Sequence, residues 1–313
     1  MLLPTDLILE KAFRSSFPIR HDGTPYLRYP SPTSHGVKEE KFSFLSGKYR
    51  LYGSKVFLTD KKNVKGLVIF CHGATAGRDA YGHLIASIAK QGYLVYAFDY
   101  TGCMQSGGLD CNGMAQPLID LEYFFAFLEK QEDAKGLRRM AIGHSWGGYI
   151  SLACLKEKYN VERVINMSGF SSVVDMAVFS TKDNRLTRKM VRGYLKRKYG
   201  KIGIYDGLEA MRKTDKEVLV IFGENDRTVD VDYFFHRYQK EVSSNPHIHF
   251  LEVKDRGHQP YWSAKAQRYY NEVVRGGVLF KDGIDPDAEI DYKVLFDSEP
   301  LVMNAIFDFF ENK

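Results

Sequence analysis

The 313 residues are 44% hydrophobic, enough for one large core and a single domain with insertions. The formal charge of +5 is local: Lys182 to Lys201 holds nine Lys/Arg against Asp183, a segment of +8 that leaves −3 elsewhere, so overall basicity carries no argument about partners. The four cysteines form no CxxC pair, which argues against a disulfide framework, and no segment approaches the ~20 apolar residues of a membrane span.

Asp6, Glu10 and Lys11 interrupt the apolar start of the chain, unlike a signal peptide, so a cytoplasmic protein is expected. Pro4, Pro18, Pro25, Pro30 and Pro32 predict that residues 1–40 form a wrapping arm with little regular structure. Phe42 to Phe44 and Tyr49 to Leu58 read as short antiparallel strands. Apolar runs at Leu67–Cys71, Leu94–Phe98, Met140–Ile142, Val164–Met167, Val218–Phe222 and His249–Val253 then suit buried parallel strands. Between them, stripes such as Tyr81, Leu84, Ile85, Ile88 and Leu118, Leu121, Phe125, Leu128 repeat at the helical period. Alternating strands and helices predict an α/β fold, a mostly parallel, doubly wound sheet.

Two interruptions break the alternation within the domain expected over 41–313. From about 169 to 214 a helical cap is expected, in which Leu186, Met190, Val191, Tyr194 and Leu195 share one face and Arg185, Arg188, Lys189, Arg192 and Lys196 the other. From about 261 to 297 a second insertion precedes a final amphipathic helix around Leu301, Ile306 and Phe309.

The chemistry gathers around Gly143-His144-Ser145-Trp146-Gly147. A strand-like run ends in Gly-x-Ser-x-Gly and a helical pattern follows, the context of a nucleophile elbow, which makes Ser145 the candidate nucleophile. A serine hydroxyl needs a base and a group that orients the base. Asp226 follows the Val218–Phe222 run, and His258 follows the next strand-like run. Glu224, Asp230 and Asp232 compete with Asp226; His236, His247 and His249 compete with His258.

These residues resemble the α/β-hydrolase superfamily, particularly its serine aminopeptidase and monoacylglycerol-lipase-like branch. The resemblance rests on Cys71-His72-Gly73-Ala74, on Asp99-Tyr100-Thr101-Gly102 with Ser106-Gly107-Gly108, on the elbow with Gly148, on Gly223-Glu224-Asn225-Asp226 and on Gly257-His258. It implies an α/β-hydrolase fold with an inserted helical cap, a Ser145, Asp226, His258 triad, and an oxyanion hole at the backbone amides of Ala74 and Trp146. It implies neither a metal nor an organic cofactor. Cys103 and Met104 depart from the family's Gly-His-Gly-x-Ser pattern and leave that loop's contacts open.

The function expected is a serine esterase acting on a small acyl or short lipid-like substrate, with Phe170, Tyr261 and Trp262 beside Trp146 as candidate pocket aromatics. An aminopeptidase or amidase is the alternative, with Glu209 and Asp206 as nearby acids for a substrate ammonium group; a binding protein that keeps the fold is another. The basic face of the cap helix reads as a solvated surface ahead of contact with an acidic membrane. Nucleic acid is not expected as a partner. The acidic run Asp282 to Asp291 reads as a solvated turn rather than a calcium loop.

Overall fold

The structure is a computed structural model that describes residues 3–16, 19–23, 27–59, 64–74, 77–179, 184–278 and 289–311. These residues form an eight-stranded sheet in the order β1-β2-β4-β3-β5-β6-β7-β8. Its strands are β1 (Lys38–Ser46), β2 (Tyr49–Phe57), β3 (Leu67–Cys71), β4 (Leu94–Phe98), β5 (Arg139–His144), β6 (Val161–Met167), β7 (Glu217–Gly223) and β8 (Ile248–Val253). β1 and β2 pair antiparallel, and β2 joins β4 antiparallel. From β4 onward every pairing is parallel.

The pleat divides the core. Leu67, Ile69 and Cys71 enter one hydrophobic cluster with Trp146, Tyr149 and Phe170, while Val68 and Phe70 enter a second with Tyr81, Tyr261 and Ile306. Successive side chains of a strand point to opposite faces, so these clusters lie on opposite sides of the sheet. Burial on both faces explains why the inner parallel strands read as apolar runs, while β8, expected to be buried as well, is an edge strand with His249 and Glu252 exposed.

The helices are α1 (Pro4–Ser16), α2 (Gly82–Lys90), α3 (Gln116–Leu128), α4 (Trp146–Leu152), α5 (Val173–Phe179), α6 (Arg185–Tyr199), α7 (Gly207–Lys213), α8 (Arg237–Glu241), α9 (Ala264–Tyr269), α10 (Tyr292–Leu295) and α11 (Pro300–Glu311). α5, α6 and α7 occupy the connection from β6 to β7. No helix among the described residues is long and apolar enough to cross a membrane.

Two further expectations need correction. The first residues are not irregular, because Pro4 stands in the opening turn of α1, where its missing N–H has no helical partner to lose. The charges that interrupt this segment hold it down: Asp6 receives Arg197 at 2.8 Å, and Glu10 receives Lys198 at 2.8 Å and the Tyr194 hydroxyl. These contacts come from Arg197 and Lys198 in the last turn of α6, while Arg185, Lys189, Arg192 and Lys196 are exposed. The apolar stripe of the same helix divides, since Val191, Tyr194 and Leu195 are buried while Leu186 is 67% and Met190 42% exposed. Of the acidic run, residues 282–288 lie outside the described residues, and Asp291 caps α10 by accepting the Lys293 and Val294 amides.

Candidate active site

Parallel strands direct their C-terminal ends to one edge, where the following loops meet. The loops after β3, β5, β7 and β8 carry Ala74, Ser145, Asp226 and His258. Ser145 sits between β5 and α4 with φ 58° and ψ −120°, a backbone that non-glycine residues rarely adopt. Neighbours without side chains make the turn feasible. A Cβ at Gly143 would lie 2.0 Å from the Gly147 carbonyl oxygen, and one at Gly147 would lie 1.9 Å from that of Cys71.

Ser145 Oγ lies 2.8 Å from His258 Nε2, and His258 Nδ1 lies 2.9 Å and 3.1 Å from the two Asp226 carboxylate oxygens. A carboxylate only accepts, so Nδ1 carries the proton and Nε2 presents a lone pair to the Ser145 hydroxyl. The Thr228 and Val229 amides donate to Asp226 Oδ1 at 2.9 Å and 3.1 Å, fixing its orientation. The loops holding Asp226 and His258 are pressed together: Asn225 N–H donates to the Arg256 carbonyl at 2.8 Å, and a Cβ at Gly223 would lie 2.2 Å from the Gly257 oxygen.

The competing residues are engaged elsewhere. Glu224 accepts the Asp255 amide, Asp230 the Tyr233 amide, and Asp232 contacts His236. His236 lies between Asp232 and Glu252, and His247 and His249 share the Glu217 carboxylate. Burial pushes the Cys103 thiol well above its ordinary pKa, which disfavours a nucleophilic thiolate there. Its loop is pinned from outside, since the Arg20 guanidinium donates to the Met104 carbonyl at 2.8 Å and His21 exchanges backbone hydrogen bonds with Gly102 and Met104.

His144 is enclosed between Ser145 and His258. Its Nδ1 is 2.9 Å from the Tyr81 hydroxyl and its Nε2 2.6 Å from the His258 carbonyl oxygen. Burial lowers its pKa to about 3, so the ring is neutral. His72 is likewise held neutral by burial, its ring stacked on Tyr100 at 3.9 Å.

A family model described as serine aminopeptidase, S33, matches residues 62–223, just over half of the chain. The chain belongs to this family of α/β-hydrolases. It is a serine hydrolase by family, and its solved structural neighbours share the fold. An esterase from Pyrococcus furiosus, Pf2001, superposes with a TM-score of 0.60 at 18% identity, over 83% of this chain and 97% of that one. Est1E from Butyrivibrio proteoclasticus, solved with ferulic acid, gives 0.56 at 15% identity over 69% and 90%. The acylaminoacyl peptidase of Pyrococcus horikoshii gives 0.55 at 15% identity, over 80% of this chain but 43% of its own. No curated protein matches the sequence.

Beside the hydrolase's Ser145 opens a cavity of about 390 Å³, lined also by Ala74, Trp146, Phe170, Met176, Val191 and Val229. Trp146 is oriented by its indole N–H, which donates to the Met114 carbonyl at 2.8 Å. Trp146 and Phe170 thus stand in the expected pocket, but Tyr261 and Trp262 are absent from its lining. Both belong to the core across the sheet, where the Tyr261 ring packs on Tyr81 and His144 and the Trp262 ring on Tyr270. The sequence reading instead missed Leu9, Ala12 and Phe13, which bring α1 to the cavity wall. Their sequence signal was the i, i+3, i+4 spacing of Leu9, Ala12 and Phe13, the apolar face of a helix whose other side pairs Glu10 with Arg14 at 3.0 Å.

Proposed function

We propose that this protein hydrolyses carboxylic esters of apolar acyl groups through an acyl-enzyme formed on Ser145. The observation carrying this reading is the lining of the cavity beside Ser145, which among the described residues contains aliphatic, aromatic and thioether side chains with Thr187 and Thr228 but no charged group. An acyl chain gains by leaving water for such surroundings, about 0.8 kcal/mol per methylene. A free α-ammonium group gains nothing there without a carboxylate.

The acids once considered for an aminopeptidase are committed elsewhere. Asp206 accepts the Leu208 and Glu209 amides at the start of α7, and Glu209 pairs with Arg212 and Lys213. Ester cleavage is therefore favoured over aminopeptidase action.

In the proposed cycle His258 Nε2 takes the Ser145 proton as Oγ attacks the ester carbonyl, and Asp226 stabilises the imidazolium through Nδ1–H. The oxyanion is received by the Ala74 and Trp146 amides. Trp146 is the first residue of α4, where an amide has no intrahelical acceptor. His258 then protonates the leaving alcohol, and water repeats the sequence to release the acid. The substrate is a small acyl ester, and α5 to α7, with α1, act as the cap over it.

The test pairs a covalent serine probe with a substrate screen. Ser145→Ala abolishes fluorophosphonate labelling and turnover, and the native protein cleaves nitrophenyl esters in preference to aminoacyl anilides. Undiminished labelling of the variant, or a preference for the anilides, refutes the reading.

A further inference from the structure

Three segments of the site, the loop after β3, the end of β5 and the loop after β8, meet at two buried side chains that the proposed cycle does not use. The His258 carbonyl oxygen can only accept, so His144 Nε2, 2.6 Å away, must carry the ring proton. The neutral ring then presents a bare Nδ1, which accepts the Tyr81 O–H at 2.9 Å. With its proton directed there, the Tyr81 oxygen accepts the Gly73 N–H at 3.1 Å. Every hydrogen in the series has one direction: Gly73 N–H to Tyr81, Tyr81 O–H to His144, His144 N–H to His258.

The series touches the backbone next to each working group. Gly73 precedes Ala74, whose amide is proposed to receive the oxyanion; His144 precedes Ser145; and the last acceptor is the carbonyl of the base itself. The spacing leaves little room for drift. A Cβ at Gly73 would lie 2.4 Å from the Tyr81 oxygen, 3.2 Å from the His144 carbonyl oxygen and 3.4 Å from Ser145 Cβ, so the loop is seated directly on the elbow and the phenol. Tyr81 is buried, and burial raises its pKa, which keeps the hydroxyl protonated.

We infer that Tyr81 and His144 are positioning residues that set the oxyanion loop at a fixed distance from the nucleophile and the base, an inference that rests on the Ser145 reading above. They touch no substrate atom; they act by holding the Ala74 amide where negative charge develops. Loss of an oxyanion donor typically lowers turnover ~10²–10³-fold, and a donor displaced but not lost accounts for a fraction of that, about tenfold.

The test compares native protein with Tyr81→Phe, which removes one oxygen, and with His144→Gln, which keeps an amide donor toward His258. All values are normalised to sites titrated with the fluorophosphonate, so misfolded protein does not count. For a nitrophenyl ester, kcat of Tyr81→Phe falls about tenfold with KM little changed, and Ki of a trifluoromethyl ketone, which forms the oxyanion on Ser145, rises by the same factor. His144→Gln shows the same paired change. A purely structural role lowers the number of titratable sites but leaves kcat per site and Ki unchanged, and that result overturns the inference. Ser145→Ala, run alongside, separates the two levels: if it still turns over, the Ser145 reading fails and this inference with it; if it is inactive while Tyr81→Phe behaves as native, only this inference fails.

Discussion

Gly147 rests directly against the backbone of Cys71: a Cβ on the glycine would lie 1.9 Å from the Cys71 carbonyl oxygen and 2.6 Å from that of His72. The helix after Ser145 is thus packed backbone to backbone on the end of β3, and this contact holds Ser145 beside the loop that carries Ala74.

Gly147→Ala is accordingly expected to be among the most damaging single changes in the chain, costing about 4–5 kcal/mol because the obstructing atoms are backbone and cannot rotate away. Gly136→Ala provides the contrast. Gly136 has a positive φ, 70°, and nothing lies within 4 Å of a Cβ there, so only backbone strain of roughly 1–2 kcal/mol is expected. Urea unfolding of the two variants measures both; equal losses refute the packing argument.

Val191 brings α6 to the cavity that contains Ser145. Val191→Phe fills part of this space and is expected to shorten the longest acyl chain accepted while sparing acetyl esters. Each excluded methylene forfeits about 0.8 kcal/mol, roughly a fourfold fall in kcat/KM for the longer members of a nitrophenyl ester series. A chain-length profile identical to that of the native protein contradicts this placement of the acyl group.

Docking of α1 is expected to weaken in acid. Burial opposes ionisation of Glu10, but hydrogen bonds from Lys198, Tyr194 and Arg14 outweigh it and lower its pKa from 4.5 to about 2; Asp6 is lowered in the same direction, chiefly by its hydrogen bond from Arg197. Folded-state values below the unfolded ones mean that this contribution is complete above about pH 4.5 and is lost as pH falls toward 2. Hydrogen-exchange protection of residues 4–16 should therefore fall across that window before circular dichroism reports global unfolding. Glu10→Gln should show the reduced protection already at neutral pH. Protection that stays level through the window argues that apolar contacts alone hold the helix.

The sheet was readable because its inner parallel strands are buried on both faces and so leave short apolar runs, as Leu67 to Cys71 and Val218 to Phe222 do, whereas β8, at the edge, exposes His249 and Glu252. Ser145 and Asp226 were readable because each follows such a run, and His258 because it follows the next strand-like run in chain order. What the sequence concealed depends on contacts between distant segments. Tyr261 lies three residues beyond His258, yet the chain has by then turned beneath the sheet, and proximity in sequence misled. The interrupting charges of α1 looked like breaks in an apolar stretch until α6 supplied their partners. Leu186 and Met190 share a helical stripe with Val191, but the stripe is wider than the surface available to cover it, and its margin faces water.

Glu10 and Tyr194, which join α1 to α6, are 184 residues apart in the chain. At ribosomal rates that separation is roughly 10–40 s of synthesis, during which the first helix exists without the surface that retains it. The sheet strands as far as β6 precede α6 in the order of emergence, so the framework carrying Ser145 can assemble before the wall formed by Leu9 and Phe13 closes over it. Residues of α1 thus cannot take their place until α6 has been made, and the cavity wall that Leu9 and Phe13 supply depends on a segment synthesised far later in the chain.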